Sequence, residues 1–321
     1  MRALITGTAG FIGSNLAMSL VNQNWEVRGL ILEEENPAFL KEVGVDIRRG
    51  DLTKKETLKA LAKDIDVVFH IAAQLGKASV SYQRTYEINV NGTINLILEC
   101  LNSNIQHFIY CSSRGVGGVK ETDPYSPDKN SAYELTKCEA EKATLEYSYK
   151  EGLPLTIIRP CFVYGPRDLH KLELFQSIQR KRFLLVGDGS AFWHPTFIED
   201  LLQGFLLAVN KPPKGEIYNI GGPDKVSILE CLTTIAQELD VSIPRLRVPV
   251  SIAYVSAFGC EWFSNLTNKE PFISRSKVRR LTTDDDMDIS KAKRELGYKP
   301  QFDFKEGVKR TVKWYKENGF L

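Results

Sequence analysis

An apolar run at residues 3–6 leads directly into Gly7-Thr8-Ala9-Gly10-Phe11-Ile12-Gly13, and a helical pattern follows over 12–22. A strand that breaks into three evenly spaced glycines and reopens as a helix has few folding solutions. The glycines clear Cβ atoms from a tight turn, let backbone N–H groups close on a pyrophosphate, and leave a helix N-terminus to meet its charge. The spacing is G-x-x-G-x-x-G rather than G-x-G-x-x-G, but the physical demand is similar. Gly7, Gly10, Phe11, Ile12 and Gly13 are therefore candidate cofactor-binding residues. The alternative, a plain glycine turn, is disfavoured by the strand-to-helix context.

The rest of the first half alternates short apolar runs at 26–32, 46–48, 67–71, 107–112 and 155–159 with helical patterns at 54–62, 82–101 and 132–150. In the helical patterns, apolar residues recur every three or four positions. Right-handed crossovers between such strands predict an α/β fold with one doubly wound parallel sheet. After Pro160 the pattern loosens: Gly165-Pro166, Gly187-Asp188-Gly189, Pro212-Pro213 and Gly221-Gly222-Pro223 punctuate short elements and a strand near 217–220. Residues 161–321 read as a smaller, irregular substrate lobe, with some later segments returning to the 1–160 domain. Asp284-Asp285-Asp286 reads as a solvated loop, and helical patterns at 290–296 and 304–318 close the chain.

The 42 Lys and Arg residues nearly balance 40 Asp and Glu, and 43% of the 321 residues are hydrophobic. This describes an ordinary globular chain without the positive field of a nucleic-acid binder, so a small molecule is the expected partner. The six cysteines lack metal or redox spacing; reduced, mostly buried thiols and no metal site are expected. Too few apolar residues precede the glycines for a signal-peptide core, which predicts a cytoplasmic protein. The most apolar stretch, 248–263, is broken by Pro249, Gly259 and Glu261 and falls short of the ~20 residues of a spanning helix. It reads as a helix lining the core or a pocket, with membrane contact the lesser alternative; no membrane partner is expected.

Glu33 follows the second strand, twenty positions after Gly13, where it can accept from adenosine ribose hydroxyls. With Glu34 and Glu35 it would repel a 2′-phosphate, favouring NAD over NADP. The alternative is a solubilising surface turn. Asp51 after the third strand can accept from an adenine amino group, and the small Ala72 and Ala73 after the fourth let the backbone approach a flat ring.

Tyr133 and Lys137 lie one helical turn apart in a run free of proline and glycine, and Ser131 can cap that run. An ammonium beside a phenol favours the phenolate, so Tyr133 can take a proton from a hydroxyl while hydride leaves, and return it in reverse. A second Tyr-x-x-x-Lys, Tyr125 to Lys129, carries Pro127 and reads as a turn. Ser113, at the carboxyl end of the strand at 107–112, projects into the crevice where doubly wound sheets bind ligands and can donate to a substrate oxygen.

With these residues in place, the chain resembles the extended class of the short-chain dehydrogenase/reductase superfamily, nearly end to end. The matching stretches are 6–13, Gly50-Asp51-Leu52, His70 to Ala73, Asn89-Val90-Asn91-Gly92-Thr93, Ser112-Ser113, Tyr133 to Lys137 and Arg159 to Arg167, with further matches at 187–189, 197–200, 217–222 and 288–292. The resemblance implies a Rossmann domain, NAD as cofactor, catalytic roles for Ser113, Tyr133 and Lys137, a ribose contact from Lys137, and cofactor contacts at Leu52 and Pro160. It also implies a homodimer through the helices at 82–101 and 132–150, and a nucleotide-linked sugar as substrate. Arg114 and Gly115 stand where dehydratases and decarboxylases carry a carboxylate, which favours an epimerase acting at C4.

The segment 189–195 lacks the arginine that sugar-nucleotide epimerases usually place near Trp193, leaving Arg167, Arg279 and Arg280 as candidates for the diphosphate. Trp193 either stacks on a base or packs in the core. His170 and His194 are candidate second acid/base groups, or loop-orienting residues. The departure keeps open an apolar secondary alcohol such as a sterol, as in the related 3-beta-hydroxysteroid dehydrogenases. A non-catalytic NAD sensor is the third reading, disfavoured by retention of the Ser/Tyr/Lys set.

Overall fold

The computed structural model describes residues 1–76, 80–242, 247–267 and 273–321. The first half builds β1 (Arg2–Thr6), α1 (Phe11–Asn22), β2 (Glu26–Ile31), α2 (Ala38–Glu42), β3 (Asp46–Arg49), β4 (Val67–His70), α3 (Tyr82–Tyr86), α4 (Gly92–Leu101), β5 (His107–Cys111), α5 (Ala132–Glu151) and β6 (Leu155–Pro160). The second half adds β7 (Val163–Tyr164), α6 (Leu172–Gln179), β8 (Leu185–Val186), β9 (Phe192–Trp193), β10 (Thr196–Phe197), α7 (Ile198–Val209), β11 (Lys214–Ile220), β12 (Val226–Ser227) and α8 (Ile228–Glu238). The chain ends with β13 (Arg247–Val248), α9 (Val250–Thr267), α10 (Arg275–Arg280) and α11 (Phe304–Glu317).

Seven strands form one parallel sheet in the order β11-β6-β5-β4-β1-β2-β3. The chain runs outward from β1 to β2 and β3, then returns to place β4 on the other side. That reversal opens a crevice at the carboxyl ends of β1 and β4, the place where such sheets hold ligands. Strand residues alternate between two cores: Ile5, Phe69 and Ile158 face one layer, while Leu4, Val68 and Ile157 face the other. Burial on both faces explains why the central strands read as continuous apolar runs. The remaining short strands pair as β10 with β7, β12 with β9 and β13 with β8.

Four local expectations change. The helix expected at 54–62 is only a 3-10 turn at Lys55–Leu58, because Ala60 takes a left-handed conformation (φ 58°) that an α-helix cannot continue. The helix at 82–101 is interrupted by a π turn at Glu87–Asn91. The acidic run is a loop, as expected, but one tied to the body of the protein: Asp284 accepts from the Phe192 N–H (2.9 Å), Asp286 pairs with Lys225 (2.5 Å), and Arg114 donates to the Asp286 carbonyl (2.6 Å) while lying 3.6 Å from Asp285. The stretch at 248–263 is helical from Val250 onward, but it does not line the core with its large side chains; Ile252, Val255, Phe258 and Trp262 face outward. Five cysteines are buried and Cys260 is partly buried, all as free thiols. Among the described residues, no helix is long and apolar enough to cross a membrane, and no cluster of metal-ligating side chains occurs.

Candidate active site

The glycine loop leaves no room for side chains. A Cβ on Gly13 would lie 2.2 Å from the Gly7 carbonyl oxygen, and one on Gly7, whose φ is +68°, would lie 2.8 Å from the Ala72 backbone. Gly10 is the N-cap of α1 and contributes no side-chain oxygen, so the N–H groups of the first turn remain available to an anion. Beyond β2, Glu33 is exposed and lies 3.8 Å from Arg49, whose guanidinium also donates to the Leu32 carbonyl (2.9 Å). Asp51 accepts from the N–H and hydroxyl of Thr53 (2.9 and 2.8 Å). Burial alone would raise its pKa, but these hydrogen bonds and nearby Arg84 and Lys54 hold it below the ordinary value, leaving an ionised acceptor. Leu52 is buried against Gly92, and its carbonyl accepts from Asn95 (2.8 Å).

Under the crevice runs a string of buried polar groups. Thr6 Oγ1 meets His70 Nδ1 at 2.7 Å and accepts from the Ala72 N–H at 3.2 Å; His70 Nε2 meets Thr93 Oγ1 at 2.8 Å. Thr93 donates to the Asn89 carbonyl (2.6 Å). The Asn89 side chain accepts from the Gln74 N–H (2.7 Å) and donates to the Gln74 carbonyl (3.1 Å) and to Thr136 on α5 (2.9 Å). Asn89 sits on the π turn, which widens the helix locally. Burial, followed by the Lys137 charge, lowers His70 to about 3, so the ring is neutral and serves as a spacer. These residues fix the loop after β4 that carries Ala72 and Ala73. The signal for this role in the amino-acid sequence is the pair of polar residues, Asn89 and Thr93, inside the 89–93 stretch that carries the family resemblance.

Ser131 caps α5 by accepting from the Glu134 N–H (3.2 Å), which starts the helix so that Tyr133 and Lys137 both face inward. Lys137 is 2% exposed; its ammonium donates to the Cys111 carbonyl (2.6 Å) and lies 4.1 Å from the centre of the Tyr110 ring. Ser113 follows β5, and its hydroxyl oxygen accepts from the Gly115 N–H (3.2 Å). The phenolate expected beside the ammonium is not what the surroundings favour: burial, then Cys111, pushes Tyr133 up to about 12, while a hydrogen bond with Ser113 and the charge of Arg280 pull it down. Tyr133 therefore holds its proton at neutral pH. Tyr125, in the second copy of the motif, donates to Glu141 (3.0 Å) from a non-helical segment and serves structure.

Burial also lowers Lys137 from 10.5 to about 8. At pH 7 native and unfolded chains both hold the proton, so the native state bears the full burden of the buried charge. Between pH 8 and 10.5 only the unfolded chain still holds it, and the burden falls away. Lys137→Met should therefore stabilise the protein at pH 7 by about 2 kcal/mol, allowing for the lost hydrogen bond, while abolishing turnover. Urea unfolding of parent and variant at pH 7 and pH 10.5 checks this; the advantage should vanish at the higher pH, and a variant less stable at pH 7 contradicts it.

The residues expected to hold substrate are dispersed. Trp193 is buried, stacks on Phe162 (centroids 4.4 Å apart) and donates to the Arg280 carbonyl (2.9 Å), so it packs in the core. His194 is buried with Nε2 on the Gly222 carbonyl (2.9 Å), and Gly221 packs against its ring, which makes it a spacer rather than an acid/base group. His170 is exposed on the loop before α6. Arg167 stacks on Phe39 of α2 (3.5 Å). Arg279 pairs with Asp128 (3.0 Å), and Arg280 lies 3.9 Å from Glu134 on α5. Of the six, only Arg280 acts on Tyr133, through its charge.

Residues 3–221 match the family described as the NAD dependent epimerase/dehydratase family. The chain belongs to the NAD-dependent epimerase/dehydratase family. It is accordingly an NAD-dependent enzyme of that family, and the glycine cradle at the N-terminus of α1 fits the pyrophosphate of NAD. This family member is 29% identical to a 3 beta-hydroxysteroid dehydrogenase/Delta 5-->4-isomerase of Mycobacterium tuberculosis, over 98% of its own chain and 90% of that protein. It is also 29% identical to a 3beta-hydroxysteroid-dehydrogenase/decarboxylase of Arabidopsis thaliana, over 93% of its own chain and 72% of that protein. Among solved structures it is similar to a UDP-glucuronic acid 4-epimerase from Bacillus cereus in complex with UDP-4-deoxy-4-fluoro-glucuronic acid and NAD, with a TM-score of 0.80 and 26% identity, covering 99% of this chain and 100% of that one.

Proposed function

We propose that this enzyme is an NAD-dependent dehydrogenase of an apolar secondary alcohol of the sterol type, the reading that stood second in the sequence. The observation that carries it is the nearly full-length likeness to the mycobacterial 3-beta-hydroxysteroid dehydrogenase. Two features of the second lobe support it. Arg279 pairs with Asp128 and Arg167 stacks on Phe39, which leaves these guanidinium groups engaged within the protein and not poised for a diphosphate. Trp193 is enclosed by protein and offers no face to a nucleobase.

NAD, when bound, supplies the hydride acceptor. Ser113 donates to the substrate oxygen and steadies developing charge, and Tyr133 takes the hydroxyl proton in oxidation and returns it in reduction. Lys137, held by the Cys111 carbonyl, supplies positive charge beneath them at neutral pH and loses it above about pH 8. A phenol that is protonated at neutral pH suits the reductive direction as found, and oxidation gains as pH rises.

Likeness to the UDP-glucuronic acid 4-epimerase supports a second reading, a nucleotide-sugar 4-epimerase using the same three residues. To separate them, purified protein is incubated with NAD and either a 3β-hydroxysterol or UDP-sugars, following NADH by absorbance and sugar epimers by chromatography. Steady NADH release with the sterol, and none with the sugars, is expected. Sugar epimers without net NADH would replace this reading with the epimerase.

A further inference from the structure

Helix α9 is built inside out. Its protein-facing stripe consists of the small residues Ala253 and Ala257, with Cys260 and Ser264 continuing it at helical spacing. The large apolar side chains point the other way: Ile252 is 55% exposed, Val255 75%, Phe258 61% and Trp262 62%. At about 100° per residue these four fall within roughly a third of the helix circumference, opposite the stripe. The inner stripe packs with Val186 and with Val278 of α10. Large apolar groups on the outer face of an amphipathic helix mark a surface that meets something apolar.

The charges around this face identify the partner. Among the described residues between positions 247 and 281 there are five Lys and Arg against one Glu, in a protein whose whole net charge is +2. Arg247 and Lys277 are exposed, while Arg279 and Arg280, also exposed, are engaged with Asp128 (3.0 Å) and Glu134 (3.9 Å). Arg275 reaches the apolar face itself, with its guanidinium 5.8 Å from the centre of the Phe258 ring while pairing with Glu261 (2.6 Å). An apolar, Trp-bearing helix face bordered by cations matches the acyl and headgroup layers of an anionic bilayer. A second copy of the chain would instead bring two basic sets together. We infer that α9 and α10 form a docking surface on which the enzyme lies against anionic membrane, with Ile252, Val255, Phe258 and Trp262 inserted and Arg247 and Lys277 on lipid phosphates. The inference stands without the sterol reading; where that reading holds, the same face brings the second lobe to the phase in which an apolar alcohol resides.

The test is co-sedimentation of the full chain, without cofactor or substrate, with vesicles of phosphatidylcholine alone or mixed with phosphatidylglycerol. Binding to the mixed vesicles is expected, at least ~10-fold weaker on phosphatidylcholine alone and released by salt. The triple substitution Val255→Ser, Phe258→Ser, Trp262→Ser should reduce binding by at least ~10-fold, and Lys277→Glu should reduce it on anionic vesicles only. These side chains face outward in the folded chain, so unchanged thermal unfolding serves as the folding check. Blue-shifted tryptophan fluorescence on mixed vesicles, absent in Trp262→Phe, is a second readout. If the parent stays in the supernatant with both vesicle types, the inference fails. It fails equally if the parent is a dimer in light scattering and the triple variant a monomer with unchanged vesicle partitioning, since the face would then join two copies. Sugar epimerisation in the activity assay would overturn the sterol reading and leave vesicle binding unaffected.

Discussion

Tyr133→Phe should lower turnover by at least ~100-fold while NAD affinity changes little, because the ring keeps its packing and loses only the group that moves the proton. The site geometry sharpens the expectation. Tyr133 is the phenol that hydrogen-bonds Ser113 and feels the charge of Arg280, and a Cβ on Gly76 of the loop after β4 would lie 3.2 Å from its own Cβ. Tyr125→Phe is the matched control. That phenol donates to Glu141, and the Arg159 guanidinium lies 5.4 Å from the centre of its ring, so turnover should persist while stability falls by about 1–2 kcal/mol. Steady-state kinetics and isothermal titration with NAD measure both. Retained turnover in Tyr133→Phe together with lost turnover in Tyr125→Phe would transfer the chemistry to the other motif.

Glu141→Ala should destabilise the fold by about 3–5 kcal/mol. Glu141 is wholly buried on α5, and Arg159 of β6, 2% exposed, pairs with it at 2.5 Å. Its carboxylate also accepts from the hydroxyls of Ser112 and Tyr125. Removing it leaves a buried guanidinium without its counter-charge and two hydroxyls without their acceptor. Because Ser112 precedes Ser113, the surviving folded fraction should also lose activity as the end of β5 loosens. Urea unfolding gives the stability; a loss under 1 kcal/mol would mean that water or another group takes over the pair.

Much of the cofactor half was legible because its signals are local. A glycine needed where a Cβ would strike the Gly7 carbonyl, a serine capping α5, and a proline excluding Tyr125 from a helix each act within a few residues. The second lobe was less legible for the opposite reason. Trp193 and His194 could read as substrate-facing until the chain between them and residues 222 and 280 closed over them. Arg279 reads as a phosphate ligand until Asp128, some 150 positions earlier, is found beside it. The acidic run reads as solvated until its partners arrive from residues 114, 192 and 225.

The amino-acid sequence by itself determined the strand-glycine-helix entry, the alternation that makes a parallel sheet, and the spacing that puts Tyr133 and Lys137 on one helix face, since each follows from backbone sterics and helical period. Only the tertiary structure decided which ionisable groups are available for chemistry. Burial sets Tyr133 near 12 and Lys137 near 8. Long-range ion pairs engage Arg279 and Glu141, and packing turns the large side chains of α9 outward. Charge pairing and desolvation depend on which distant segments meet, and sequence periodicity carries no record of that meeting.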